Sequence, residues 1–256
     1  MKNLNNQPNQ NELKEIENLF NSNELDILEK KTRKLIDKYP KTSVLYNILG
    51  IVLQKKNNFD KAILNLKKAI NLQPNFDQAH NNLGNILKNT GKFEEAVNCY
   101  REALKINPNY TEAYSNLGNA LTEIGKIEEA IVNHQKALKL NPKYKIATVN
   151  ESIARLTLGE FEIGWKKYEA RIGENNITPM RYPIEKIWDG NYLNGILLVW
   201  AEQGLGDHII FASMLVDLKK YAKKIILQID KRLENLLIRY FTKINFSNIK
   251  IVKSEK

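Results

Sequence analysis

Apolar residues in the first two thirds of the chain fall in pairs four apart: Leu49 with Leu53, Leu83 with Leu87, and Leu117 with Leu121. That spacing stacks each pair on one face of a helix. A second set follows each pair: Ala62 and Ala69, then Ala96, Tyr100 and Ala103, then Ala130, His134 and Ala137. It predicts a second helix after the first. Gly91 and Gly125 sit between the two helices of a pair, at a position that favours left-handed backbone. Pro40, Pro74, Pro108 and Pro142 close the pairs at intervals of 34 residues (74 − 40, 108 − 74, 142 − 108). The chain therefore reads as tandem helical hairpins, each with a first helix A and a second helix B.

A hairpin of this size cannot bury its apolar stripe alone, so neighbours must stack into a solenoid with a concave inner surface. Within a unit, Gly50, Gly84 and Gly118 beside the first leucine, and the alanines of helix B, leave room for the two helices to pack closely. The period and these positions, together with Tyr46, His80 and Tyr114 near the start of helix A, resemble the tetratricopeptide-repeat (TPR) family residue for residue. On that resemblance the fold is mainly α, a TPR superhelical solenoid. Repeats are expected at 43–76, 77–110 and 111–144, with a capping repeat at 12–42 and a divergent repeat at 145–172 that keeps Gly159, Gly164 and Tyr168. Residues 1–11, polar and rich in asparagine, are expected to be disordered.

The sixth and ninth places of helix A, expected to face the concave side, hold Asn82 with Asn85 and Asn116 with Asn119. A side-chain amide offers donors and an acceptor together, so a row of them suits the backbone of an extended peptide whatever its sequence. The row resembles the asparagine ladder of the O-linked N-acetylglucosamine transferases, whose repeats are similar to His80-Asn81-Asn82-Leu83-Gly84-Asn85. The fifth places hold Asn47, Asn81 and Ser115, without the lysine by which other TPR proteins clamp a terminal carboxylate.

Beyond Arg171 the helical period stops. Residues 173–194 contain Pro179, Pro183 and Gly190 and read as a linker. Residues 195–256 then alternate: an apolar run over 196–200, a Gly204-Leu205-Gly206-Asp207 loop, helical spacing over 208–222, a strand over 224–229, a helix over 231–241 and a strand over 248–252. This predicts a small α/β unit of βαβαβ type, half of a Rossmann sheet. Trp188-Asp189-Gly190 and Val199 to Asp207 resemble the N-terminal half of heptosyltransferase-like, two-Rossmann (GT-B) glycosyltransferase domains found fused to TPR arrays in bacteria. The resemblance makes Asp207 a candidate general base toward an acceptor hydroxyl, with Gly204, Gly206 and His208 as an acceptor or phosphate loop. By position alone Asp207 serves equally as a helix cap.

Composition narrows the function classes. The net charge of +10 over 256 residues comes with lysines scattered among glutamates rather than massed on a stripe with aromatics, which argues against a nucleic-acid footprint. The single cysteine, Cys99, has no second thiol for a disulfide or metal site. No run approaches the roughly 20 apolar residues of a membrane span, and no signal peptide is legible, so a cytoplasmic location is expected. The expected function is a scaffold binding a peptide or partner protein in the groove, with no cofactor or metal and a non-catalytic α/β tail. The alternative is a glycosyltransferase, or one chain of a split one, taking a nucleotide sugar as donor and a protein or glycan as acceptor.

Overall fold

A computed structural model describes residues 7–171, 191–200, 215–229, 231–244 and 249–253. The chain divides into two compact units, Met1–Arg171 and Ile172–Lys256.

The first unit is five helical hairpins. Their A helices are α1 (Gln10–Asn21), α3 (Ser43–Lys55), α5 (Asp77–Asn89), α7 (Thr111–Glu123) and α9 (Lys145–Thr157). Their B helices are α2 (Leu25–Lys38), α4 (Phe59–Leu72), α6 (Phe93–Ile106), α8 (Ile127–Leu140) and α10 (Phe161–Tyr168), the last followed by a 3₁₀ turn at Glu169–Arg171. Helix α1 starts inside the stretch expected to be disordered. The reason is local: the Asn9 side chain accepts from the Glu12 backbone N–H while Glu12 accepts from that of Asn9, a reciprocal cap that satisfies two otherwise orphaned donors.

Every turn between an A and a B helix carries one left-handed residue. Gly91 and Gly125 (φ +77° each) and Gly159 (+81°) occupy it in the last three hairpins, and Asn23 (+57°) and Asn57 (+58°) in the first two. Asparagine is the side chain that tolerates this conformation best. The residue after each donates its N–H five residues back, as in Lys92 to Leu87 (2.8 Å), Lys126 to Leu121 (2.9 Å) and Asn58 to Leu53 (2.8 Å), which is how a helix C-terminus satisfies its last carbonyls. At the next junction the fourth-place side chain reaches back over the proline: the Tyr46 hydroxyl donates to the Pro40 carbonyl (3.0 Å) and His80 Nε2 to that of Pro74 (2.9 Å).

The core runs continuously between hairpins. Leu49, Leu53, Leu83, Leu87, Leu117 and Leu121 from the A helices meet Ala62, Leu66, Ala96, Tyr100 and Ala130 from the B helices. The small eighth-place residue sets the approach. A Cβ on Gly84 would stand 2.7 Å from the Tyr100 ring, and one on Gly118 would stand 2.5 Å from His134.

The last hairpin replaces the two leucines of helix A by Glu151 and Arg155. Glu151 is fully buried, yet paired: Arg155 Nε lies 2.8 Å from Oε1, Lys167 Nζ 2.9 Å from Oε2, and Gln135 donates to Oε1 at 3.3 Å. Arg155 also pairs with Glu160. Burial pushes the Glu151 carboxyl up, but Lys167 and Arg155 outweigh it and hold the group below its ordinary value.

The second unit contains a parallel sheet in the order β1-β2-β3, with β1 at Leu193–Trp200, β2 at Ala222–Ile229 and β3 at Ile249–Lys253. Helix α11 (Glu234–Lys243) sets Leu237 and Phe241 among Leu197, Ala222, Ile225 and Leu227 of the sheet. The strands extend past the expected limits: β1 takes in Leu193, and Ala222, expected to end a helix, opens β2. Within 208–222 the described residues form a 3₁₀ helix at Leu215–Lys220. A three-stranded parallel sheet is what these elements amount to.

Candidate functional site

Asn82 and Asn85 lie on α5, and Asn116 and Asn119 on α7; all four are half-buried. Successive A helices touch one another directly, α3 with α5, α5 with α7 and α7 with α9, whereas the B helices have no comparable contact with each other. The A helices thus form the tighter side of the stack, and the asparagines belong to it.

The sixth-place asparagines are tied to the fifth place of the preceding repeat. Asn82 Nδ2 donates to Asn47 Oδ1 (3.0 Å), Asn116 Nδ2 to Asn81 Oδ1 (3.1 Å) and, with a longer contact, Asn150 Nδ2 to Ser115 Oγ (3.5 Å). Each link spans 35 residues, so the sequence period becomes a row of bonds running across the repeats. Asn47, Asn81 and Ser115 are buried, so these bonds give their desolvated oxygens a partner. One N–H of each sixth-place amide is spent on the row; a second N–H and the carbonyl oxygen are not used by these bonds. Asn85 is held differently, accepting at Oδ1 from the Tyr100 hydroxyl (2.8 Å), which leaves its two N–H donors.

In the third repeat the place of Tyr100 is taken by His134. Its ring is fully buried against Gly118, with no hydrogen-bond partner at either nitrogen among the described residues, and burial pushes its pKa down to about 4 despite the opposing Glu151 carboxylate.

A groove of about 370 Å³ opens on the same side, lined by Lys88, Phe93, Asn119, Thr122, Glu123, Asn150 and Ile153. It crosses three successive A helices and joins the ninth place of one repeat to the sixth of the next. The fifth-place acceptors, Asn150 and Lys88 were not among the expected site residues. The repeat register could have found Asn150, which is the sixth place of the fourth unit. The other expected site, Gly204, Gly206, Asp207 and His208, lies outside the described residues, as does most of the expected linker.

The comparisons with known proteins bear on the repeats that carry these side chains. Residues 50–91 and 84–124 match the family described as TPR repeat, and residues 111–144 match the tetratricopeptide repeat. Over residues 50–144 the hairpins are tetratricopeptide repeats. Protein FlbA of Caulobacter vibrioides is 35% identical over 94 residues, which are 35% of this chain and 16% of FlbA. The chain thus covers about a sixth of that relative's length.

Among solved structures, MamA from Desulfovibrio magneticus RS-1 aligns over 61% of this chain and 89% of its own (TM-score 0.56, 16% identity). Pseudomonas aeruginosa pilF aligns over 62% and 72% (0.58, 19%). YrrB, described as a TPR protein with an unusual peptide-binding site, aligns over 65% and 86% (0.52, 19%). At these identities the likeness is one of fold. Among the described residues no helix is long and apolar enough to cross a membrane.

Proposed function

We propose that this chain is a protein-interaction scaffold whose TPR unit holds an extended peptide along the A-helix side. The row of amides from Asn82 through Asn116 to Asn150, anchored from one repeat to the next, carries this reading. Fixing one N–H of each amide to the neighbouring repeat removes rotamer freedom before any ligand arrives, and the remaining N–H and carbonyl match the alternating acceptors and donors of a peptide backbone. YrrB, similar in fold, has a peptide-binding site by its description, which makes a peptide the first ligand to test.

The experiment is selection from a displayed random-peptide library, then titration of a selected peptide by fluorescence anisotropy. Removing one amide by Asn82→Ala or Asn116→Ala should weaken binding about 2- to 10-fold, the worth of one net hydrogen bond. Unchanged affinity in the Asn82→Ala/Asn116→Ala double variant would remove the ladder from the account.

A second reading rests on the parallel sheet. Its consecutive order β1-β2-β3 matches one half of a nucleotide-type sheet, on which a glycosyltransferase would place an acceptor beside Asp207 as general base. Titration with UDP- and ADP-linked sugars, followed by a transfer assay with an acceptor, decides it: saturable heat together with transfer that is lost in Asp207→Ala supports sugar transfer, and no heat rejects it.

A further inference from the structure

The groove between α5, α7 and α9 has a composition that the ladder does not explain. It is lined by one cation, Lys88, two amides, Asn119 and Asn150, two apolar side chains, Phe93 and the 45%-exposed Ile153, and by Thr122 and Glu123. Lys88 is half-buried and makes no ion pair or hydrogen bond among the described residues, although most other cations of comparable burial in this unit are matched to a carboxylate. Burial lowers its pKa, and the nearby Glu123 only partly offsets this.

Glu123 is exposed and stands beyond ion-pair distance, so it does not neutralise the ammonium group. Thr122 spends its hydroxyl hydrogen on the Gly118 carbonyl (3.1 Å), leaving an acceptor that a second donor could use. Asn150 spends one N–H on Ser115, at 3.5 Å. Among the described residues Asn119 makes no such bond, which leaves both its N–H groups to the groove it lines.

A partly desolvated ammonium beside free amide donors is a site for an anion, because an ion taken from water regains its lost hydration when it meets an opposite charge with hydrogen bonds. The volume of about 370 Å³ exceeds a single ion and accommodates a side chain together with its neighbours. Phe93 and Ile153 would cover the methylene groups of that side chain.

We propose that this groove is a specificity pocket for an acidic residue of the bound peptide, its carboxylate placed between Lys88 Nζ and the amide of Asn119. The inference rests on the peptide-holding reading, because the pocket continues the row one turn further along the same helices: Lys88 follows Asn85 by three residues, and Asn119 follows Asn116 by three. The ladder would take the backbone of any peptide. The pocket would choose among peptides, favouring those with a glutamate or aspartate in one register and disfavouring those that bring lysine there. Glu123, an exposed lining residue, limits the preference without reversing it, since it remains solvated.

The test uses the full chain, fluorescently labelled, and four bead-displayed heptapeptide pools, random except for a central Glu, Gln, Ala or Lys. Wild-type protein should be retained about tenfold more by the Glu pool than by the Gln pool, equivalent to about 1.4 kcal/mol, with the ratio shrinking in high salt. Lys88→Gln should bring the Glu-to-Gln ratio to about one, and Lys88→Glu should move the preference to the Lys pool. Far-UV circular dichroism checks that both variants are folded. Equal retention of the Glu and Gln pools by wild-type protein overturns the pocket while leaving the ladder standing. A Glu preference that persists in Lys88→Glu also overturns it. Retention by none of the four pools overturns both the pocket and the peptide-holding reading.

Discussion

His134 makes the solenoid sensitive to acid in a way that one substitution should remove. In the folded chain the ring is buried against Gly118 with neither nitrogen bonded to any described residue, and its pKa is pushed down from the ordinary 6.5 to about 4. In the unfolded chain it regains the ordinary value. Between those two values the unfolded state binds the extra proton, so stability falls as pH falls through the window from 6.5 to 4 and is constant above it. Linkage of the two values gives a loss of about 2 kcal/mol between pH 7.5 and pH 5, rising to about 3 kcal/mol below pH 4.

The substitution to make is His134→Phe, because Tyr100 shows that a six-membered ring fits against the equivalent glycine, Gly84. Urea unfolding followed by the helical circular dichroism signal at pH 7.5 and pH 5 measures both proteins. The variant should lose about 2 kcal/mol less than the wild type between these pH values, with carboxylates common to both cancelling in the comparison. Parallel pH profiles would show that His134 carries no such penalty and would refute the argument.

Three further outcomes follow from the packing. Gly84→Ala drives a methyl group to 2.7 Å from the Tyr100 ring, whose hydroxyl also holds Asn85, and should cost about 1–2 kcal/mol by denaturant unfolding even after the better helix propensity of alanine. Glu151→Leu alone leaves Arg155 short of a partner in a half-buried site and should destabilise by about 3 kcal/mol, whereas Glu151→Leu with Arg155→Leu, the residues of the three central repeats at those places, should recover most of the loss. Asn57→Val puts a β-branched residue at φ +58° and should lower stability by about 1–2 kcal/mol, which the thermal midpoint will register.

The solenoid was legible because its information is periodic. The leucine pairs, the small eighth-place residues and the prolines repeat every 34 residues, and each repeat corroborates the others. What escaped was carried by substitutions within that period. Asn23 and Asn57 take the left-handed turn that Gly91 and Gly125 announce openly, since asparagine reaches that conformation without advertising it. Glu151 and Arg155 occupy leucine places and read as divergence, because only the three-dimensional arrangement brings Lys167 and Gln135 to the buried carboxylate.

The asparagines of the groove were identifiable by register, but their bonding was not. A composition rich in asparagine hides the fact that the fifth place of one repeat is the acceptor for the sixth of the next. In the second unit the strands were visible as apolar runs, while their limits moved by one to three residues because pairing, not hydropathy, decides where a strand ends.

If the ladder reads the peptide backbone, methylating that backbone should abolish recognition that side-chain replacement leaves intact. A library-selected peptide and its analogues, each N-methylated at one position, are titrated against the full chain. Methylation at alternate positions within the bound segment should weaken binding at least tenfold by removing the N–H donated to the asparagine carbonyls, while alanine replacement of most side chains should change affinity less than threefold. Tolerance of methylation at every position, with affinity governed by side chains alone, would contradict the claim.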